Sequence, residues 1–407
     1  MKRLYLSVIG LYIGLISAHA QTTLQPSSRD SSLYQERKLK VDEINLVSAY
    51  YTQNGNNSAV TGGIGTEQLS DVANTFDLQL SKFNKMGRKN TFLFELGVDH
   101  YTSASSDKID PNSISSASMS DTRIYPSLHW GQSNEKTGNA FGFTGSFSHE
   151  YDYQSLGAGF NLTRLSKNKN TQLDFKLQAF LDTWMVILPV ELRPSGTGSG
   201  SRGDSRGSDF SPRNSFSTSL AVSQVINKQL QVLLMVEPSY QHGLLATRYQ
   251  RNYFTDGSEQ AENLPESRYK LPIGLRLNYF ANDRFIIRTF YRYYMDNWGI
   301  KAHTAELEIP VKLTSFVSVS PFYRYNNQTG TRYFATYGQH SPSEKYFTSD
   351  YDLSALSSNF IGFGLRLSPP TGVFGLQHLS MIELRYGHYS RSTKLISNII
   401  TLNFKIK

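Results

Sequence analysis

The stretch Ile396-Ser397-Asn398-Ile399-Ile400-Thr401-Leu402-Asn403-Phe404-Lys405-Ile406-Lys407 decides how this chain is read. Ile396, Ile400, Leu402, Phe404 and Ile406 fall on one side of an extended backbone. Ser397, Thr401, Asn403, Lys405 and Lys407 fall on the other, because successive strand side chains point to opposite faces. The same period of two runs through Phe92, Phe94, Leu96 and Val98 against Glu95, Gly97 and Asp99. It recurs in Leu271, Ile273, Leu275, Leu277 and Tyr279 against Lys270, Gly274, Arg276 and Asn278. A helix would need apolar residues three and four apart, and no long stretch shows that spacing. The chain reads as all-β.

Working outward, about sixteen such segments follow one another, with 14 to 18 compatible with the pattern, each near the ten-residue length of a tilted membrane strand. They lie near 40–53, 72–84, 90–102, 121–131, 138–150, 154–166, 171–184, 213–226, 229–242, 266–280, 283–295, 299–313, 315–327, 352–368, 376–388 and 392–406. After every even-numbered segment the chain turns tightly, as at Lys167-Asn168-Lys169-Asn170, Asn227-Lys228 and Ala281-Asn282-Asp283. The longest connections, near 103–120, 187–212, 243–265 and 327–350, all follow odd-numbered ones. Short periplasmic turns and long extracellular loops produce that parity, which predicts a transmembrane antiparallel up-and-down β-barrel with both termini periplasmic. A soluble sandwich or propeller also alternates. The absence of a blade-length repeat and the continuity of the apolar faces weigh against both.

The start of the chain fits this destination. Met1-Lys2-Arg3, an apolar run from Leu4 to Ile16, and Ala18-His19-Ala20 before Gln21 follow the order of a signal peptide over residues 1–20. That run is shorter than the roughly 20 residues a membrane anchor needs. Residues 21–39 read as a polar periplasmic tail or small plug, and residues 40–407 as the barrel in the outer membrane of a Gram-negative cell. Outer-membrane lipid, the barrel-assembly machinery during biogenesis and a periplasmic or surface protein are the expected partners.

Composition sets exclusions. There are no cysteines, so disulfides, thiolate metal sites, a cysteine nucleophile and a lipoprotein anchor are ruled out. A hydrophobic share of 39% and a mean hydropathy of −0.40 are low for one large dry core. A wet-centred barrel has no such need. The 25 Tyr and 24 Phe suit a boundary between apolar and wet surroundings. A formal charge of +8 favours anionic partners, yet no basic helix or recognition module points to nucleic acid.

If the apolar face meets lipid, the other lines the lumen. Arg268, Lys270, Arg276, Arg284, Arg288, Arg292, Arg324, Arg366 and Arg385 then form a basic wall. Asp77, Glu95 and Asp99 form an acidic one, and Glu306 and Glu308 stand beside the arginines. Opposed walls would set a transverse field that orients dipolar or anionic solutes, unless the charges merely brace the wall. Gly142, Thr144, Ser146, Gly157, Gly159, Ser217 and Ser219 leave room between them for water, a loop or a plug.

Other motifs carry less. The loop 195–208 is Gly/Ser-rich and flexible in composition; its Gly198, Gly200 and Gly203 lack the strand-turn-helix unit of a dinucleotide site, and Arg202-Gly203-Asp204 is three residues in a biased tract. No HExxH and no close-set histidines appear, so no cofactor, metal or catalytic residue is assigned. Asp182, Glu237 and His242 lie toward extracellular strand ends, where an outer-membrane hydrolase would carry its site.

Val41-Asp42-Glu43-Ile44, followed by Tyr50-Tyr51-Thr52-Gln53-Asn54-Gly55-Asn56-Asn57-Ser58-Ala59-Val60-Thr61-Gly62-Gly63-Ile64-Gly65-Thr66-Glu67, resembles the opening of an uncharacterised Bacteroidota outer-membrane β-barrel family, a domain-of-unknown-function family. The resemblance implies a barrel of unassigned substrate across nearly all of the mature chain. Within it the Gly-rich loop containing Asn54, Gly55, Asn56, Asn57, Gly62, Gly63 and Glu67 is a candidate gate, either forming the first extracellular connection or folding back into the lumen. The final Lys407 departs from the common aromatic ending, with Phe404 the candidate substitute. The leading expectation is a channel or gated pore for polar, anion-favoured solutes. The alternatives are a non-conducting scaffold or receptor and, third, a surface hydrolase.

Overall fold

A computed structural model describes residues 38–102, 120–193 and 210–407. Residues 1–20, read as a signal peptide, the tail up to residue 37 and the loop 195–208 lie outside those residues. Sixteen antiparallel strands form the wall. They are β1 (Lys40–Asn54), β2 (Leu69–Phe83), β3 (Lys89–Thr102), β4 (Ser120–Ser133), β5 (Ala140–His149), β6 (Tyr153–Leu165), β7 (Thr171–Met185) and β8 (Phe210–Val225). The second half is β9 (Leu230–Val236 continuing as Ser239–Gly243), β10 (Ser267–Phe280), β11 (Ile286–Asp296) and β12 (Lys301–Glu308 continuing as Val311–Lys312). It ends with β13 (Val317–Gln328), β14 (Leu356–Leu367), β15 (Leu379–Arg391) and β16 (Ile396–Ile406). Pro238 and Pro310 interrupt β9 and β12 because proline has no N–H to donate to the ladder. Each strand pairs with its sequence neighbours, and β16 returns to β1 from Ile44↔Ile406 to Asn54↔Ile396, which closes the barrel.

The two wall faces are distinguished by contact and by exposure. Arg385 on β15 reaches Glu308 on β12 at 3.5 Å, although those strands are not ladder neighbours. Such a reach is made only across the concave side, so the face shared by these residues is the lumen. The opposite face exposes Phe94, Leu128, Phe143, Leu156, Leu177, Phe216, Leu234, Leu275, Leu307, Ile361, Leu384 and Ile400, a belt continuing around the wall. A continuous apolar belt of that extent is compatible with hydrocarbon, not with water.

At one end the connections are built by asparagine. Asn84, Asn134, Asn168, Asn227 and Asn282 each accept from the backbone N–H two residues on, which is the side-chain mimic of a tight turn. Several boundaries differ from the sequence reading, and three have a local cause. The eleventh strand begins at Ile286, after the Asn282 turn, so Arg284 sits exposed at the foot of the wall, its carbonyl accepting from Lys312 N–H. The fourteenth begins at Leu356, because a helical turn at Tyr351–Leu353, started by the Asp350 side chain, holds the preceding residues. The connection Ser368 to His378 is longer than its even-numbered companions: Pro369-Pro370 cannot continue the ladder, and a helical turn at Val373–Gly375 follows.

Candidate functional site

The lumen wall is built by register. Cross-strand partners share a face, and this places Arg268, Lys270 and Arg276 of β10, Arg288 and Arg292 of β11, Arg324 of β13, Arg366 of β14 and Arg385 of β15 on the inside. Carboxylates stand among them. Glu306 meets Arg324 at 2.7 Å, and Glu308 meets Arg288 at 3.8 Å and Arg385 at 3.5 Å. Glu383, which the sequence reading passed over, binds Arg366 at 2.6 Å and Arg385 at 3.2 Å. Its position two residues before Arg385 on a strand was the available signal. Arg276 lies over the Phe290 ring, Arg268 is held by Asp296 at 2.5 Å, and among the described residues Arg292 makes no ion pair. Around β11 to β15 the wall therefore keeps a positive excess. Asp77 and Glu95 face each other on β2 and β3, and Asp99 accepts from the Tyr125 hydroxyl at 2.9 Å. These strands are eight away from β10 and β11, half the circumference.

The mouth at the long-loop end is different. The β1–β2 connection closes on itself, with Glu67 N–H donating to Gly55 O and Ser58 N–H to Gly65 O. Gly62 and Gly63 take φ of 78° and 85°, values that suit glycine, and lie against the Tyr253 ring and Ser349 O. The tip is thereby turned inward. Val60 packs on Ile187 of the β7–β8 connection and Tyr249 of the β9–β10 connection, and its carbonyl accepts from Arg251. Arg251 also holds Glu191 at 2.5 Å and Glu259 at 3.4 Å. A wall of sixteen strands spaced about 4.8 Å apart and tilted is roughly 30 Å across. Since β1 and β8 stand on opposite sides, these contacts bridge the opening.

The two longest described connections complete the cap. A hairpin of Arg251–Tyr253 and Glu259–Ala261 pairs at Phe254 with His340 and at Asn263 with Phe347. Phe254 packs edge-on to Phe347 at 4.9 Å, and Ala246, Leu264 and Trp298 form a second small core against Tyr333 and Leu353. Buried carboxyls go with it. Glu262, 2% exposed, accepts from Thr247 N–H at 2.5 Å, and burial pushes it up to about 8. Burial, with Asp352 adding repulsion, pushes both Asp350 and Glu67 up to about 7. Asn54, Gly55, Asn56, Asn57, Gly62, Gly63 and Glu67 thus lie in or beside a cap whose other half was not read from the sequence.

Beneath the cap, a polar recess of about 400 Å³ is lined by Glu95, Arg123, Tyr125, Tyr153, Asp182 and Arg213, among others. Arg213 stacks on Trp184 at 4.7 Å and Tyr153 at 5.4 Å, 3.9 Å from Asp182. His242 stacks on Tyr240, on the opposite face of the wall from Asp182, so these two do not converge as a hydrolase would need.

Among solved structures, the chain is similar to the siderophore receptor PirA from Acinetobacter baumannii, with a TM-score of 0.44 at 11% identity over 88% of this chain and 54% of that one. It spans about half of that receptor's length. It is similar to a mutant of the TodX monoaromatic hydrocarbon channel, with a TM-score of 0.39 at 11% identity over 92% of this chain and 90% of that one. It is also similar to a bacterial polysaccharide outer membrane secretin, with a TM-score of 0.43 at 11% identity over 89% and 98%. No curated protein matches its sequence. A family profile described as "Protein of unknown function (DUF3570)" matches residues 88–392, starting beyond the Val41 to Glu67 stretch that carried the resemblance. With most of its length inside that match, the chain belongs to the DUF3570 family of proteins of unknown function.

Proposed function

We propose that this chain is a gated outer-membrane pore for small polar solutes, anions favoured, with the long-loop mouth outside the cell and both termini periplasmic. One observation carries the reading. Loops rooted on opposite sides of the barrel meet at Val60 and Arg251 over a lumen whose arginines remain wet, Arg366 with 53% of its side chain exposed. A wall charged in this way attracts anions, and a cap held by contacts between loops can part without unfolding the wall. A Bacteroidota source, removal of residues 1–20 and delivery by the barrel-assembly machinery, with outward-facing Phe404 near the end of β16, belong to the same proposal.

In planar bilayers the purified chain should rest mostly closed and open in discrete, anion-biased steps. If neither the chain nor an Arg251→Ala variant conducts, the pore reading is lost. The closed mouth also fits a scaffold or receptor holding a surface or periplasmic protein. A stoichiometric partner retained by a barrel that stays sealed after Arg251→Ala would select that reading.

A further inference from the structure

We propose a calcium site at the long-loop rim, formed by Asp121 of β4 with Glu150 and Asp152 of the β5–β6 turn. One oxygen from each carboxylate lies within 4.8 Å of the other two. The turn is fixed: Glu150 N–H donates to Tyr153 O, Met185 N–H donates to Asp152 O, and Tyr151 N–H donates to Asp121 Oδ2 at 3.1 Å. Glu150 also accepts from the Tyr101 hydroxyl and stands 3.4 Å from Arg123. Three carboxylates are thus gathered together, with one guanidinium beside Glu150.

Asp152 is the second, independent observation. It is 3% exposed, and its Oδ2 has no hydrogen-bond partner. A buried carboxylate oxygen without a donor is costly unless a proton or a cation occupies it. The donor set is all oxygen, with no imidazole or thiolate, which suits a hard cation. Calcium accepts six to eight oxygens at flexible angles, whereas magnesium demands a near-ideal octahedron. Arg123, whose Nε also donates to Ser148 Oγ at 2.9 Å, lies to one side and lowers the affinity without filling the site.

The test is a calcium titration of the full-length folded barrel, stripped with EGTA and held in non-ionic detergent with excess magnesium. One equivalent should bind with a dissociation constant on the order of 10⁻⁴ M, the range of extracellular modules. Asp152→Asn and Glu150→Gln should each weaken binding at least tenfold, and Arg123→Gln should tighten it. Terbium should luminesce on excitation through Tyr101 and be displaced by calcium. Saturable binding that survives Asp152→Asn, or none at all, overturns the site. Should Asp152→Asn not fold, Asp121→Asn, nearer the surface, reads the same outcome.

Discussion

At the mouth Asn252 and His340 are fully buried, whereas on the lumen wall Arg288 and Arg324 each keep 48% of their side chains exposed. Both regions are rich in polar groups, yet they manage charge differently. The mouth removes carboxyls from water and holds them toward the neutral form. The wall leaves its charges hydrated and pairs them across strands. The mouth should therefore respond to pH and the wall to salt.

The largest effect is expected from the clamp. Arg251→Ala leaves Glu191 and Glu259 without their partner and Val60 O without a donor, a loss of about 3 kcal/mol, so the closed population should fall roughly a hundredfold. Open probability in single-channel records measures it. A cap that stays shut would dissolve the contrast between the two regions.

Next comes pH. The carboxyls of Glu262, Asp350 and Glu67 are raised above their ordinary values, so their support of the cap is complete below about 4.5 and is lost as pH rises through about 7 to 8. Arg248 and Arg391 nearby oppose the shift without cancelling it. Conductance should climb several-fold between pH 6 and 9, and Glu262→Gln should flatten most of that rise. A fall with pH would reverse the assignment of the neutral form.

A smaller change is expected in the wall. Neutralising Arg288 and Arg292 together should reduce anion preference about twofold at low salt and by less at 1 M, where the screening length is about 3 Å. Reversal potentials in a salt gradient read this directly. Smallest is Arg324→Gln, which breaks a half-exposed pair with Glu306 and should change stability by no more than about 1 kcal/mol. A shift as large as that of the clamp would mean that the wall, too, is held by buried charge.

The barrel was legible because its signal is local. Alternation in β3, β10 and β16 needs only neighbouring residues, and the asparagine turns announce themselves within three or four positions. Family membership was legible only as a resemblance, resting on residues 41–67, which the DUF3570 match at 88–392 leaves out. The cap was not legible, because Val60, Glu191, Arg251 and Phe347 come from four connections with no shared period, and Gly62 and Gly63 reveal their role only beside Tyr253 and Ser349. Arg284 lies at a blurred boundary: its charge suited the wall, while Asn282, two positions earlier, had already begun the turn. The rim carboxylates were missed for a similar reason: Asp121 lies far along the chain from Glu150 and Asp152, and only the β3–β4–β5 registers carry it to them.

The seam between β1 and β16 bears on how long the protein lasts. Once Asn54 meets Ile396, no described strand of the wall retains an unpaired border from which fraying could begin or onto which another chain could add. Loss of the structure must start by tearing a hydrogen-bonded row inside hydrocarbon, where freed amides find no water. Survival is then governed by the rate of that rupture, and the folded chain should persist in cold dodecyl sulfate long after soluble proteins have unfolded.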